Sequence, residues 1–237
     1  MRSTILITTI CLTTLLTVSA SAKSPEQQCR AALKFRQSNP YPTPLERQAE
    51  IAAVQKAFTL CRSRSMAPDL RAASVERWAQ ILSQRDLAAT EAMYRETIRE
   101  VTVDHGPNAP ALLTLQHGLL AVVNRASGGP TAESFGIAYD IQRIAEEAHG
   151  AQSEPYALAL ATLAHLHEWN GSRAAAEELY REAIATASAA CGPKCGTLSA
   201  MYSILRDLIK DDPARKAEAD ELNERATEAL PDDEPQR

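Results

Sequence analysis

The chain has 237 residues, of which 42 are alanine, 9 are glycine and only 5% are aromatic. A β-sheet protein needs more β-branched and aromatic residues and more turn glycines, so this composition favours an all-α fold. The formal net charge of −5, from 25 basic and 30 acidic side chains, provides no basic surface for a nucleic acid.

The first 22 residues have the pattern of a secretory signal peptide. Arg2 supplies a basic start, residues 5–18 are apolar but too short to span a membrane, and residues 20–22 read A-S-A, a signal-peptidase site. Cleavage after Ala22 makes Lys23 the first residue of the mature chain. We therefore expect a periplasmic or secreted protein whose mature part has no membrane span.

Four cysteines remain after this cleavage, and an even number of cysteines in an exported chain indicates disulfide bonds. Three pairings are possible, and we favour Cys29 with Cys61 and Cys191 with Cys195. The second pair does not have the C-x-x-C spacing of a redox site, and no further Cys or His pair completes a zinc site. We expect the disulfides to be structural.

Residues 26–37 and 45–62 are predicted to be helices, joined by residues 39–44, where three prolines alternate with other residues. Proline is not tolerated inside a helix, so the two helices form a hairpin. In a simple hairpin Cys61 lies farther from the turn than Cys29, and the loop must absorb roughly 10 Å at 1.5 Å per residue. We interpret residues 23–66 as a capping hairpin at one end of a stack.

The rest of the chain contains an internal repeat. The segment M-Y-R-E-T-I at 93–98 matches L-Y-R-E-A-I at 179–184, and a Gly-Pro follows each at the same distance. Gly106, Gly150 and Gly192 have spacings of 44 and 42 residues. This pattern predicts a repeat of about 43 residues whose second helix ends at a C-cap glycine.

The unit that ends at Gly192 shows the repeat most clearly. Residues 155–169 carry an apolar stripe with helical spacing, and N-G-S at 170–172 interrupts it. Ser172 is a suitable N-cap for a second helix at 173–190. The small side chains of this unit predict that its two helices approach closely; they are Ala164, Ala176 and Ala183.

Residues 159–184 resemble a tetratricopeptide repeat of the long, 42-residue kinesin-light-chain type. The small-residue positions of that family match Ala164, Ala176 and Ala183, and residues 68–106, 108–150 and 194–230 are more degenerate copies. The resemblance implies a right-handed α-solenoid of about five antiparallel helical hairpins. Its repeat domain is expected at 67–230, followed by a disordered acidic tail at 231–237.

The segment 165–168 reads H-L-H-E, but histidines two apart on a helix point in different directions and do not form a metal site. His167 occupies the buried tyrosine position of the resembled repeat, so we expect it in the core. His165 and Trp169 share one helix face, which in that family lines the concave groove. We therefore predict a partner-binding patch of His165, Glu168 and Trp169; alternatively, Trp169 packs against a neighbouring helix.

No nucleophile elbow or phosphate-binding loop is present. Paired carboxylates are expected to be solvated or to cap helices; they are Glu146-Glu147, Glu177-Glu178 and Asp211-Asp212. The sequence favours a non-catalytic module that binds a partner's peptide or helix in the cell envelope or outside the cell, without metal or cofactor. A permanent subunit of an envelope complex fits equally well. The alternative is an enzyme with a site assembled from His117, His165 and Glu168.

Overall fold

The structure is a computed structural model that describes residues 23–34 and 43–231. Within these residues all regular structure is helical, as predicted. The predicted signal peptide, most of the proline-rich segment and nearly all of the acidic tail lie outside them. The ten α-helices are α1 Pro25–Leu33, α2 Pro44–Cys61, α3 Pro68–Leu82, α4 Leu87–His105, α5 Ala111–Ser127, α6 Ala132–His149, α7 Glu154–Trp169, α8 Arg173–Cys191, α9 Gly196–Ile209 and α10 Lys216–Glu228.

The helices stack in chain order. Each α-helix packs against the next, which gives five helical hairpins, and a single 3-10 turn precedes α10. Several first helices of neighbouring hairpins also touch: α1 contacts α3, α3 contacts α5, and α7 contacts α9. The first helices therefore line one side of the stack. None of the described helices is both long enough and apolar enough to cross a membrane.

The glycine spacing predicted from the sequence is confirmed at the helix ends. Gly106, Gly150 and Gly192 follow α4, α6 and α8, with φ angles of 90°, 88° and 75°. Glycine adopts such positive φ angles without a steric penalty, so each of these helices stops at the same point of the repeat. The last residues of α4 and α6 are His105 and His149.

One predicted helix cap is wrong. Ser172 precedes α8, but its side chain makes no capping hydrogen bond. Its φ and ψ of −85° and 61° differ from the extended geometry that directs an N-cap oxygen at the first turn. Ser153 does cap α7, since its Oγ accepts a hydrogen bond from the backbone N–H of Tyr156 at 3.3 Å.

The three small residues predicted to lie between α7 and α8 are completely buried. Ala164, Ala176 and Ala183 each have 0% exposure. Ala164 and Ala176 belong to one apolar cluster with Tyr180 and Leu205, and Ala183 belongs to a neighbouring cluster. This burial confirms that α7 and α8 pack closely at these positions.

The expectation that Glu177 is merely solvated is wrong, because it belongs to an ion-pair network. Glu177 Oε1 lies 2.7 Å from Arg215 Nη2 and 2.9 Å from Arg181 Nη2. Glu218 of α10 pairs with the same two arginines. Because Arg215 lies 38 residues away along the chain, its contact with Glu177 could not be read from local spacing. The network holds α8 against α10.

The N-terminal hairpin is joined by a disulfide between Cys29 and Cys61, whose Cα atoms lie 5.3 Å apart. Both cysteines pack with Met66 and Leu70 in a small apolar cluster. Helix α1 ends at Leu33, and residues 35–37 of the predicted first helix lie outside the described residues.

The second disulfide joins the last residue of α8, Cys191, to Cys195, which precedes α9. Their Cα atoms are 6.0 Å apart. The backbone N–H of Cys195 donates a 2.8 Å hydrogen bond to the carbonyl oxygen of Ala229, just after α10. Both observed pairings are the ones that the sequence favours; the first joins α1 to α2, and the second links the end of α8 to the start of α9.

Candidate binding surface on the first helices

Helix α7 presents an open face that carries large apolar side chains. Three side chains form a row along this face: Leu158, His165 and Trp169. They are seven and four residues apart, which are spacings that place residues on the same side of a helix. The remaining surface of α7 packs against α6, α8 and α9. Leu158 is 43% exposed and Trp169 is 49% exposed, which is unusual for such large apolar groups.

The three residues predicted as a binding patch do lie together; we call His165, Glu168 and Trp169 the α7 patch. His165 Nδ1 is 3.9 Å from Glu168 Oε2, and the His165 and Trp169 ring centroids are 6.1 Å apart. Glu168 is held from below by Tyr180 of α8, whose hydroxyl donates a 3.0 Å hydrogen bond to Glu168 Oε2. The carboxylate therefore has a defined position before any partner binds.

Both alternatives for Trp169 are partly realised. Its indole lies beside the turn between α5 and α6, since a Cβ atom built on Gly129 would be 3.9 Å from Trp169 Nε1. About half of the side chain nevertheless stays exposed. An indole supported on one side and open on the other is a typical anchor in protein interfaces.

His167 lies on a different side of α7 from His165, as their spacing predicts. Its ring meets Phe135 of α6 edge to face, with 5.0 Å between the centroids. His167 is only partly buried, so the expectation of a core histidine holds only in part. The reason is that its partner, Phe135, is itself only partly buried at the edge of the main core. Among the described residues, no group of three or more possible metal ligands is brought together.

A second concave feature lies between α3 and α5, and we call it the α3–α5 groove. It has a volume of about 480 Å³. Helix α3 supplies one wall, α5 supplies the other, and a tyrosine from α4 reaches in between them. The lining residues are Glu76, Ala79, Gln80, Ser83, Tyr94, Thr114, His117, Gly118, Ala121 and Val122.

The tyrosine in this groove depends on a glycine above it. Tyr94 is only 3% exposed, and its ring passes directly beneath Gly118 of α5. A Cβ atom on Gly118 would lie 2.3 Å from Tyr94 Cζ and 2.4 Å from the hydroxyl oxygen, which no packed structure tolerates. Burial, together with the charge of Glu76, raises the pKa of Tyr94 to about 12. The phenol is therefore neutral at neutral pH.

The residues of the predicted enzyme site do not form one constellation. His117 lies in the α3–α5 groove, where burial lowers its pKa and favours the neutral imidazole. His165 and Glu168 lie on α7 and contact each other. Within residues 43–231, no hydrogen bond or ion pair connects His117 to either of them. The arrangement offers contact surfaces rather than an acid–base pair beside a nucleophile.

Sequence reasoning did not identify Tyr94 and Glu76 as members of a site. A signal was present, because Tyr94 and Tyr180 occupy the same position of the matching segments 93–98 and 179–184. Only the structure shows that Tyr180 reaches Glu168 whereas Tyr94 reaches a groove. The interior glycine of α5, Gly118, was a second unused signal.

No family model and no curated protein matches the sequence. Among solved structures, BtubC (BKLC) from P. vanneervenii is 16% identical with a TM-score of 0.60, over 81% of this chain and 77% of that one. A putative kinesin light chain from Podosopora anserina with nearly identical TPR-like repeats is 17% identical with a TM-score of 0.55, over 87% of this chain and 96% of that one. A substituted form of that protein gives a TM-score of 0.57 at the same identity, over 87% and 95%. The chain therefore has the fold of the tetratricopeptide-like repeat proteins, as predicted from residues 159–184.

Proposed function

We propose that this protein is a non-catalytic interaction module that binds a peptide or helix of a partner protein along its first helices. One observation carries the proposal: the α7 patch combines a half-exposed indole with a carboxylate that is already held in place. A repeat fold of this kind generally serves as a scaffold for protein contacts. The partner that it binds depends on the side chains on its surface rather than on the fold itself.

The chemistry of the α7 patch suits a partner that presents an apolar side chain next to a hydrogen-bonding or basic group. Trp169 offers apolar area and an N–H donor, whereas Glu168 accepts hydrogen bonds. Tyr180 fixes Glu168, which lowers the entropy lost on binding. Leu158 and Ile204, on α7 and α9, extend the apolar area, since both are at least 40% exposed.

We propose that the protein acts in the periplasm or outside the cell, after cleavage behind Ala22. The two disulfides support this location, because they persist in oxidising compartments. N-terminal sequencing of the exported protein should begin at Lys23. An exported chain that still starts at Met1 would contradict the proposal.

We also propose that the mature chain divides into a capping hairpin, 23–66, a repeat domain, 67–230, and an acidic tail, 231–237. The Cys29–Cys61 disulfide lies in a small apolar cluster, separate from the main core, through which the hairpin packs on Leu70 of α3. A hairpin that covers the end of a stack prevents it from pairing with further copies.

The test compares Trp169→Ala with Tyr139→Ala in a capture experiment from envelope extract followed by mass spectrometry. Tyr139 is a matched control, because it is a 55% exposed aromatic residue on α6, a second helix. We expect Trp169→Ala to reduce stoichiometric capture at least tenfold and Tyr139→Ala to leave it unchanged. Thermal melts of both variants should stay close to that of the wild type.

Two results would contradict the proposed function. Capture that survives Trp169→Ala would remove the α7 patch from the binding surface. Turnover of an extract component without a stable partner would favour the enzyme alternative instead, and substitutions of His117 and His165 would then identify its residues.

A further inference from the structure

Two equivalent tyrosines of the repeat have different surroundings. Tyr94 and Tyr180 lie 86 residues apart in matching segments, and both reach from a second helix towards the side of the first helices. The hydroxyl of Tyr180 donates to Glu168. The hydroxyl of Tyr94 has no hydrogen-bond partner among the described residues, and although the residue as a whole is only 3% exposed, its hydroxyl oxygen is not one of the fully buried polar atoms. The hydroxyl is therefore accessible from the groove and free to hydrogen-bond with a ligand there.

The packing keeps this hydroxyl directed at the α3–α5 groove. Gly118 leaves room for the phenol ring, so the hydroxyl can reach the groove between α3 and α5. At about 480 Å³ the groove can hold one long side chain. Its walls are partly apolar, because Ala79, Ala121 and Val122 line them.

The residues that line the groove favour a positively charged ligand. Glu76 is its one acidic residue, and the lining contains neither lysine nor arginine. The other polar groups are neutral, because burial favours the uncharged forms of Tyr94 and His117. The groove therefore offers one negative charge surrounded by hydrogen-bond acceptors, which include the oxygens of Gln80 and Thr114.

We propose that the α3–α5 groove binds a lysine side chain of the partner, with its ammonium group between Glu76 and the Tyr94 hydroxyl. The aliphatic stem then lies along Ala79, Ala121 and Val122, as lysine stems do on apolar surface. An ammonium group has three donors and no acceptor, which matches a carboxylate accompanied by neutral oxygens. The inference rests on the proposed function, because it assigns one side chain of the same bound partner.

The first experiment screens an array of random octapeptides, in which each position is scanned with Lys, Arg, Glu and norleucine, against the purified protein. We expect wild type to prefer lysine at one position, at least tenfold over norleucine, which has a similar stem without the charge. Tyr94→Phe and Glu76→Gln should abolish this preference. Tyr139→Phe, the same change at an exposed tyrosine of α6 that does not line the groove, should retain it.

A second experiment makes failure of this inference distinguishable from failure of the proposed function. The side-chain NMR signals of His117 are followed while Nα-acetyl-lysine methylamide or its norleucine analogue is added. Shifts with the lysine compound alone, lost in Glu76→Gln, support the groove even if no peptide binds and the proposed function fails. Peptide binding without a lysine preference, or a preference for arginine or glutamate, overturns the lysine assignment and leaves the proposed function intact.

Discussion

At the scale of single residues, the two equivalent tyrosines show how a repeat diverges without changing its backbone. The hydroxyl of Tyr180 donates a hydrogen bond to Glu168 and so positions one member of the α7 patch. Tyr94 keeps its hydroxyl available to the α3–α5 groove. The sequence match made both residues visible, but hydrogen-bond partners depend on side-chain geometry, which one sequence does not reveal.

Removing each hydroxyl should therefore affect stability differently. Tyr180→Phe loses a hydrogen bond to a carboxylate, so we expect its free energy of unfolding to fall by about 1.5–3 kcal/mol. Tyr94→Phe loses no hydrogen bond within the protein and should stay within about 0.5 kcal/mol of the wild type. Urea unfolding of both variants measures this. Equal losses would show that the Tyr94 hydroxyl also has a structural partner.

Enlarging a small residue between α7 and α8 should destabilise the protein. Ala176 is completely buried, so Ala176→Leu should reduce the free energy of unfolding by about 1–3 kcal/mol through overpacking. Ala174 lies on the same helix but is exposed, and Ala174→Leu should change stability by no more than about 0.5 kcal/mol. Thermal melts that coincide for the two variants would contradict the observed register of α8.

At the scale of helices, local signals predicted the element ends better than the contacts between elements. The periodic glycines located the ends of α4, α6 and α8, because a positive φ angle is a local requirement. The role of Glu177 was missed, because its partner Arg215 belongs to the next hairpin. Ser172 failed as a cap because its backbone angles differ from the extended N-cap geometry.

The network around Glu177 should make stability depend on pH. Hydrogen bonds from Arg215, with Arg181 as the second partner, lower the pKa of Glu177 from 4.5 to about 2. Because the folded-state pKa is the lower one, the stabilisation is complete above about pH 4.5 and is lost as the pH falls towards 2. Glu177→Gln should therefore cost about 1–2 kcal/mol at pH 7 and much less at pH 2.

The matched control is Glu178→Gln, because Glu178 is the exposed neighbour of Glu177 on the same helix. Chemical unfolding of both variants at pH 7 and at pH 2 separates the two carboxylates. A loss in Glu177→Gln that is the same at both pH values would mean that packing, rather than charge, explains the effect.

At the scale of the whole molecule, the sequence predicted the architecture well, because a repeat needs only one clear unit to define the others. Residues 159–184 carried the pattern, and the degenerate units followed it to give five hairpins in the part of the chain that the structure describes. The binding surface was predictable only in part. The α7 patch lies within the clear unit, whereas the α3–α5 groove is built by two degenerate ones.

The two disulfides should contribute unequally to the free energy of unfolding. Cys29 and Cys61 are separated by 32 residues, so replacing both with serine should cost about 3–4 kcal/mol in the chain-entropy model. The separation of Cys191 and Cys195 is only 4 residues, and the same replacement should cost about 2 kcal/mol. Denaturant unfolding of the two double variants, with peptide mapping of the wild type, checks both values. A link between Cys29 and either C-terminal cysteine would contradict the pairing.

The close contact between Gly118 and Tyr94 also limits the order in which this protein can change. Alanine normally stabilises a helix interior relative to glycine by about 1 kcal/mol, so Gly118→Ala would be favourable in most helices. Here the new methyl group would collide with the phenol ring. The substitution becomes acceptable only after Tyr94 has been replaced by a smaller residue, and the two positions are therefore strongly non-additive. Once Tyr94 has been replaced, Gly118→Ala can follow. A later return to tyrosine at position 94 then requires that the glycine at position 118 be restored as well.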